Sequence, residues 1–170
     1  MSEEQPINTH TIAVLVDNEA GVLARVIGLF SGRGYNIDSL TVAEVNEDEH
    51  MSRITIVTTA TPQVINQIKA QLQRLVPVHR VVDLTVETDS VERELALVKV
   101  AGKGNDRVEA LRMSEAFRAR VIDATPESFV FEITGNTAKI DAFIGLMVPL
   151  GLQEVSRTGV AAIARGPERM

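Results

Sequence analysis

The 170-residue chain has no cysteine and no tryptophan, one tyrosine (Tyr35) and three histidines (His10, His50 and His79). Without cysteine there are no disulfides, thiolate zinc sites, iron–sulfur clusters or thiol nucleophiles. Positive charge is also short: 17 Lys and Arg stand against 23 Asp and Glu, a net charge of −6. A dedicated nucleic-acid or anionic-membrane binder needs the opposite balance, because it must displace counterions. No apolar run approaches the roughly 18–20 residues that span a bilayer. The opening Met1-Ser2-Glu3-Glu4-Gln5-Pro6 is acidic and polar, the reverse of a secretory or mitochondrial leader, so a cytoplasmic protein is expected. Flexible tails are expected over residues 1–9 and 167–170. What remains is an apolar fraction of 45%, ample for a buried core.

The first half reads as strand, helix, strand, strand, helix, strand. Thr11–Val16 is a β-branched run that stops at the turn-forming Asp17-Asn18-Glu19. Val22, Leu23, Val26, Ile27 and Phe30 recur at helical spacing, and Gly32 and Gly34 follow where a helix C-terminus favours glycine. Ile37–Val45 and Ser52–Thr58 flank the acidic Asn46-Glu47-Asp48-Glu49 as a hairpin. Thr61-Pro62 offers an N-cap with proline at the first helical position, and Ile65, Ile68, Leu72 and Leu75 form one stripe behind it. Val78, Val82, Leu84 and Val86 make a fourth strand, and Glu87-Thr88-Asp89-Ser90 reads as a short linker.

The second half repeats the order. Leu95–Ala101 is a strand, Gly102-Lys103-Gly104-Asn105 a turn, and residues 106–118 a helix with Ala110, Met113 and Phe117 inward. Arg120–Ala124 and Phe129–Thr134 flank Thr125-Pro126-Glu127-Ser128 as a second hairpin. Gly135-Asn136-Thr137 opens a helix carrying Ile140, Phe143, Ile144 and Met147, and Gly151–Ser156 with Val160–Ala164 supply the closing strand or strands. The expectation is an α+β protein of two ferredoxin-like βαββαβ domains, over residues 10–87 and 92–166. Each such sheet leaves one face and an edge uncovered, which predicts a homodimer or higher assembly. The alternative is a monomer whose two units cover each other.

Few residues are placed for chemistry. The turn Asp17-Asn18-Glu19-Ala20-Gly21-Val22-Leu23 joins a strand to a helix N-terminus, where unpaired N–H groups and the dipole favour a carboxylate. Gly21 lacks a Cβ, so a ligand can approach the backbone; Asn18 can cap the helix or turn its amide to a ligand. A plain capped turn would look the same. In Gly32-Arg33-Gly34-Tyr35-Asn36-Ile37 the glycines follow a helix rather than a strand, which argues for a C-cap and against a dinucleotide loop. Asn36 and Ile37 are left at the mouth of the sheet edge. Gly102-Lys103-Gly104 lacks the phosphate-loop pattern, and no serine sits in Gly-x-Ser-x-Gly. Glu47, Asp48, Glu49 and His50 could hold a divalent cation, although such tips are ordinarily solvated. Lys103, Arg107, Arg112, Arg118 and Arg120 outnumber Asp106, Glu109 and Glu115, a face for an acidic partner or simply for water. No catalytic residue and no metal site emerges.

The run from Asp17 to Phe30, continued by Arg33-Gly34-Tyr35-Asn36-Ile37-Asp38-Ser39-Leu40-Thr41-Val42, resembles the regulatory small subunit of acetolactate synthase, also called acetohydroxyacid synthase. Val91-Glu92-Arg93-Glu94-Leu95, Phe117-Arg118-Ala119-Arg120-Val121-Ile122-Asp123-Ala124-Thr125-Pro126 and Arg157-Thr158-Gly159-Val160 agree, so the resemblance covers about residues 10–166. It implies that the first half is an ACT domain, the module that binds amino-acid effectors where two copies meet, and the second half the family's C-terminal domain. It implies a non-catalytic chain that stimulates a separate large subunit and confers feedback inhibition by a branched-chain amino acid, typically valine. That partner would carry thiamine diphosphate, magnesium and FAD, and would join two pyruvates into 2-acetolactate and CO2 on the route to valine, leucine and isoleucine. This chain would hold no cofactor. By resemblance the effector's charged end would meet Asn18 and the backbone at Ala20, Gly21 and Val22, with Leu23 selecting an aliphatic side chain. Asn36 and Ile37 of a second copy would close the site. Asp17 stands where relatives often carry glutamate.

Two other readings share the element order. A pair of RNA-recognition domains needs central-strand aromatics and a basic face, and Ser52–Thr58 has no aromatic. A stand-alone amino-acid-sensing module serving another enzyme is separated from the first reading only by the matching second half.

Overall fold

The computed structural model describes residues 6–170. The chain divides into two compact units: residues up to Val91 together with Val160–Met170, and Glu92–Gly159. Both are α+β with the ferredoxin-like order.

In the first unit, β1 (Asn8–Asp17), β2 (Ser39–Asn46), β3 (Met51–Ala60) and β4 (Val78–Asp83) form an antiparallel sheet in the order β2-β3-β1-β4. Of the expected N-terminal tail, residues 1–5 lie outside the described residues, while Asn8 and Thr9 already pair with Ala60 and Thr59. Helices α1 (Val22–Gly32) and α2 (Pro62–Gln73) cover one face. Val22, Val26 and Phe30 of α1 and Ile65, Ile68 and Leu72 of α2 pack on Ile12, Val14, Val16, Ile54, Ile56 and Val81. Each such side chain contributes about 1.5–3 kcal/mol on leaving water.

Two capping expectations resolve differently. At the C-terminus of α1, Gly34 takes φ 71°, Tyr35 N donates to Phe30 O (2.9 Å) and Gly34 N to Ser31 O (3.3 Å). This is a Schellman turn, sealed by the Phe30 and Tyr35 rings at 6.1 Å; of the two glycines only Gly34 makes it, and Gly32 is the last residue of the helix. At the N-terminus, however, the cap is Gly21 at φ 87° with no side-chain bond, and Asn18 does not cap. In α2 the cap is as expected: Thr61 Oγ1 accepts from Val64 N. β4 is shorter than the Val78–Val86 alternation suggests, because Asp83 starts a turn in which Thr85 N donates to Asp83 Oδ1 (3.0 Å) and Glu87 N to Asp83 O (3.0 Å).

In the second unit, β6 (Arg120–Ala124), β7 (Phe129–Gly135), β5 (Ser90–Val100) and β8 (Leu152–Arg157) lie in the order β6-β7-β5-β8. The expected linker therefore ends one residue early, with Ser90 already in β5. Helices α3 (Asn105–Ala116) and α4 (Thr137–Met147) bury Ala110, Ile140, Phe143 and Met147 against Ala96, Val98, Phe131 and Ile133. Glu94, buried on β5, is held bidentately by Arg157 (2.6 and 2.8 Å), which also reaches Asp141 (2.7 Å). The Glu94 bond, ahead of the opposing effect of burial, raises the Arg157 guanidinium above its ordinary range.

The largest departure from expectation is β9 (Ala161–Ala164). Its sequence position suggests the closing strand of the second half, but the segment from Val160 onward belongs with the first unit. Val160 and Ala162 are buried with Ala13, Val57, Val82 and Leu84, on the sheet face opposite α1 and α2. Within the same unit, Arg165 N donates to Asp89 O (2.8 Å). Much of the sheet face expected to need a partner is thus covered by the chain's own C-terminus. Residues 167–170 do not form a free tail: Met170 packs on this cluster, and Arg169 O accepts from Arg80 (3.0 Å).

Candidate effector site at the first strand-to-helix turn

The turn after β1 is fixed from three sides. Asp17 N donates to Pro77 O (2.9 Å), Asn18 N donates to His50 O (2.7 Å), and the Asp17 carboxylate meets His79 Nε2 at 2.5 Å. His79 and His50 are remote in sequence and nothing in their local pattern marks them; the β1–β4 and β1–β3 pairings bring them to the turn. The backbone then passes exposed Glu19, Ala20 and Gly21 into α1. Among the described residues, the amides of Ala20, Gly21 and Leu23 have no acceptor, while Val22 N reaches Glu19 O only at 3.4 Å. A Cβ on Gly21 would meet nothing within 4 Å. The result is an accessible set of N–H donors at the positive end of an 11-residue helix, suited to a carboxylate.

Beyond the turn, Val22 is buried, Leu23 half-buried, and Ile27 is 36% exposed one turn further along α1. Leu23 and Ile27 give the site an apolar flank; Ile27 was readable in advance only as one more member of the helical stripe. On the other flank Asn18 lines an open cleft of about 680 Å³ with Glu44, Glu47, Asp48 and His50. Its lining residues are all polar or charged, and the cleft offers little surface for an aliphatic side chain. Its acidic members do not form a metal cluster, and no group of three His, Asp or Glu among the described residues does so.

Asn36 and Ile37 lie elsewhere. Their loop is tied to the far end of β3: Thr58 Oγ1 donates to Asn36 O (2.6 Å), Asp38 N donates to Val57 O (2.8 Å), and Thr59 Oγ1 donates to Asp38 Oδ2 (2.7 Å). Asn36 is exposed and donates to Asp38 Oδ1 (2.6 Å), while Ile37 is half-buried against the core. Between this loop and the Gly21 turn stands α1, whose 11 residues span about 16 Å at about 1.5 Å per residue. Within one chain, the structure brings Asn18, Ala20, Gly21, Val22 and Leu23 together at one end of α1 and places Asn36 with Ile37 at the other.

Of the basic residues near α3, Arg107 and Arg112 are engaged within the unit, while Lys103, Arg118 and Arg120 are exposed. The Arg107 guanidinium lies 3.9 Å over the Phe129 ring and donates to Thr125 O (2.8 Å), and Arg112 pairs with Glu109 at 3.7 Å.

Comparison with known proteins agrees with both units. Residues 12–80 match the AHAS small subunit-like ACT domain, and residues 93–166 match the small subunit of acetolactate synthase. A probable acetolactate synthase small subunit of Archaeoglobus fulgidus is 45% identical over 160 residues, covering 94% of this chain and 99% of the relative. The acetolactate synthase small subunit of Mycobacterium bovis is 43% identical over 159 residues, covering 94% of each. The crystal structure of the small subunit from Thermotoga maritima superposes with a TM-score of 0.81 at 38% identity, covering 95% of this chain and 99% of that one. On this evidence the chain belongs to the acetolactate synthase small-subunit family, with an ACT domain as its first unit.

Proposed function

We propose that this chain is a cytoplasmic regulatory subunit that binds a catalytic acetolactate synthase subunit, stimulates it, and transmits feedback inhibition by valine. The observation that carries the reading is the division of the effector site. The amides at Ala20, Gly21 and Leu23 suit the carboxylate of an amino acid, and Leu23 with Ile27 suits a branched aliphatic side chain. Asn36 and Ile37 lie at the opposite end of α1, away from their own Gly21 turn, which supports a site completed by a second copy. A ligand that needs both halves is bound by two chains at once, so it favours one packing of those chains over others. That preference is what a regulatory ligand requires. Allosteric couplings of about 1–3 kcal/mol correspond to several-fold to hundred-fold changes in activity.

The thiamine diphosphate, magnesium and FAD of the reaction would reside in the catalytic partner, and this chain's contribution would be entirely through association. The alternative of a sensing module for another enzyme shares the effector site but not the partner. One reconstitution separates them. Added to its catalytic subunit, the chain should raise acetolactate formation from pyruvate severalfold, and valine should reverse the gain. Absence of co-purification and of stimulation would reject the assignment, whatever the chain binds.

A further inference from the structure

The segment Val160–Met170 is held on the first sheet largely by side chains that grip its backbone. Val160 N donates to Ser39 Oγ (2.9 Å), and Val160 O accepts from Thr41 Oγ1 (3.2 Å). Ala162 O accepts from Arg53 (2.7 Å), and Arg169 O accepts from Arg80 (3.0 Å). Beneath the strap, Val160 and Ala162 are buried against Ala13 and Val57. It begins just after Gly159, which takes φ 86°, and Gly159 closes the second unit.

The four gripping side chains, three donors and the acceptor Ser39, differ in reach. Arg53 and Arg80 are long and can follow a moving acceptor. Ser39 and Thr41 are short, so their bonds to Val160 hold only while the backbone of β2 keeps its place. Ser39 opens β2 and follows directly on the Asn36–Asp38 loop. Any ligand that shifts Asn36 and Ile37 therefore acts first on the two side chains least able to adapt. The strap is anchored at Arg53 and Arg80 and conditional at Ser39 and Thr41.

We propose that this strap is the response element of the sensor: occupancy of the Asn36–Ile37 loop sets how firmly Ser39 and Thr41 hold Val160, and so the set of the chain at Gly159. The inference rests on the effector reading above and adds Ser39 and Thr41 as positioning residues that do not touch the effector.

The test uses the reconstituted holoenzyme with Ser39→Ala and Thr41→Val, singly and together, and with Ser39→Thr and Thr41→Ser as conservative rescues. Valine binding is measured by calorimetry, inhibition by titration of acetolactate formation, and strap seating by hydrogen exchange over residues 160–165. In the unmodified chain valine should change exchange in the strap. In the double variant the strap should exchange rapidly with or without valine. At saturating valine the double variant should keep at least about fivefold more activity than the unmodified holoenzyme, the lower end of ordinary allosteric coupling, with valine still binding and stimulation unchanged. The rescues should restore the full extent of inhibition. A merely structural role would lower stimulation and inhibition together. If the double variant does not fold, the isosteric Thr41→Val alone carries the test. Binding and inhibition by valine with no change in strap exchange, and unmodified inhibition in the variants, would overturn the strap alone. Failure of valine to bind the unmodified chain would overturn the effector reading and the strap with it.

Discussion

Gly21→Asp separates the effector site from the fold. Gly21 caps α1 at φ 87°, and a Cβ there meets nothing within 4 Å, so the substitution costs conformational strain but no clash. A left-handed L-residue costs about 1–2 kcal/mol, and aspartate is among the residues that enter this region most readily. The narrower unfolded ensemble returns about 0.4–1 kcal/mol. The net loss is about 1 kcal/mol, a fall in Tm of roughly 4–8 °C for a unit of this size. The effect on a bound carboxylate is larger. A second carboxylate about 4 Å away repels it by about 1 kcal/mol in water and about 4 kcal/mol at an effective dielectric near 20. Affinity should then fall between about fivefold and several hundredfold, at about 1.36 kcal/mol per factor of ten. The new side chain also competes for the amides that would hold the ligand. The assay is a valine titration of acetolactate formation by the holoenzyme, with Gly21→Ala as the strained but uncharged control. Gly21→Asp should stimulate the catalytic subunit normally and resist valine, with Gly21→Ala between it and the unmodified chain. An unchanged inhibition midpoint in Gly21→Asp, with normal stimulation, would refute the placement of the carboxylate at this turn.

The glycines of the second unit make a paired test of packing. A Cβ on Gly102 would lie 2.5 Å from Leu150 O and 3.2 Å from Arg107 N, so Gly102→Ala should destabilise by about 1–3 kcal/mol. Gly145 lies in α4 with open space at its Cβ position, so Gly145→Ala should stabilise by about 0.5–1 kcal/mol. Denaturant melts of the two variants should move in opposite directions, and a shared sign would contradict the packing described. Acid stability gives a further test at Glu87. Burial pulls its carboxyl upward, but the bonds from Lys69 and from Asp83 N–H outweigh this and leave it below the ordinary range. A carboxyl lowered by folding stabilises the protein above its unfolded value of about 4.3 and loses that contribution as pH falls through the folded value. The side chain is partly exposed, so screening holds the effect within about 1 kcal/mol. Glu87→Gln should lower Tm at pH 7 and converge on the unmodified chain near pH 3; parallel curves would show that Glu87 has no part in acid unfolding.

What was legible in the sequence was legible locally. The β-branched run at Ile12–Val16, the Val22, Val26 and Phe30 stripe, and the Thr61-Pro62 start of α2 each carry their cause within a few residues. Helix α1 ends at Gly32 because the left-handed Gly34 closes the turn that follows. The misreadings share the opposite property. Asn18 and Gly21 are both ordinary N-cap residues, and the choice between them is made by Pro77, His50 and His79, which hold Asp17 and Asn18 outside the helix. Val160–Ala164 alternates as a buried strand should, which is correct, but alternation does not say which sheet the strand covers. That was decided by Ser39, Thr41 and Arg53, more than a hundred residues earlier in the chain. β4 stops at Asp83 although Leu84 and Val86 continue the pattern, because the Asp83 side chain caps its own turn.

The scarcity of chemical side chains acquires its meaning from the split site. A catalytic centre must hold its groups within hydrogen-bonding distance of one another at all times. A regulatory site gains from the reverse. With Gly21 and Asn36 at opposite ends of α1, the proposed site would be incomplete and weak in one chain alone, and affinity would arise with the pairing of two copies. Linkage then requires reciprocity: whatever free energy pairing adds to effector binding, the effector returns to that form of pairing. Backbone amides, one asparagine from each side and a few aliphatic side chains suffice, because the recognised ligand needs only to be held. A chain with no cysteine or tryptophan lacks nothing for this task, provided that its partner in the assembly carries the reaction.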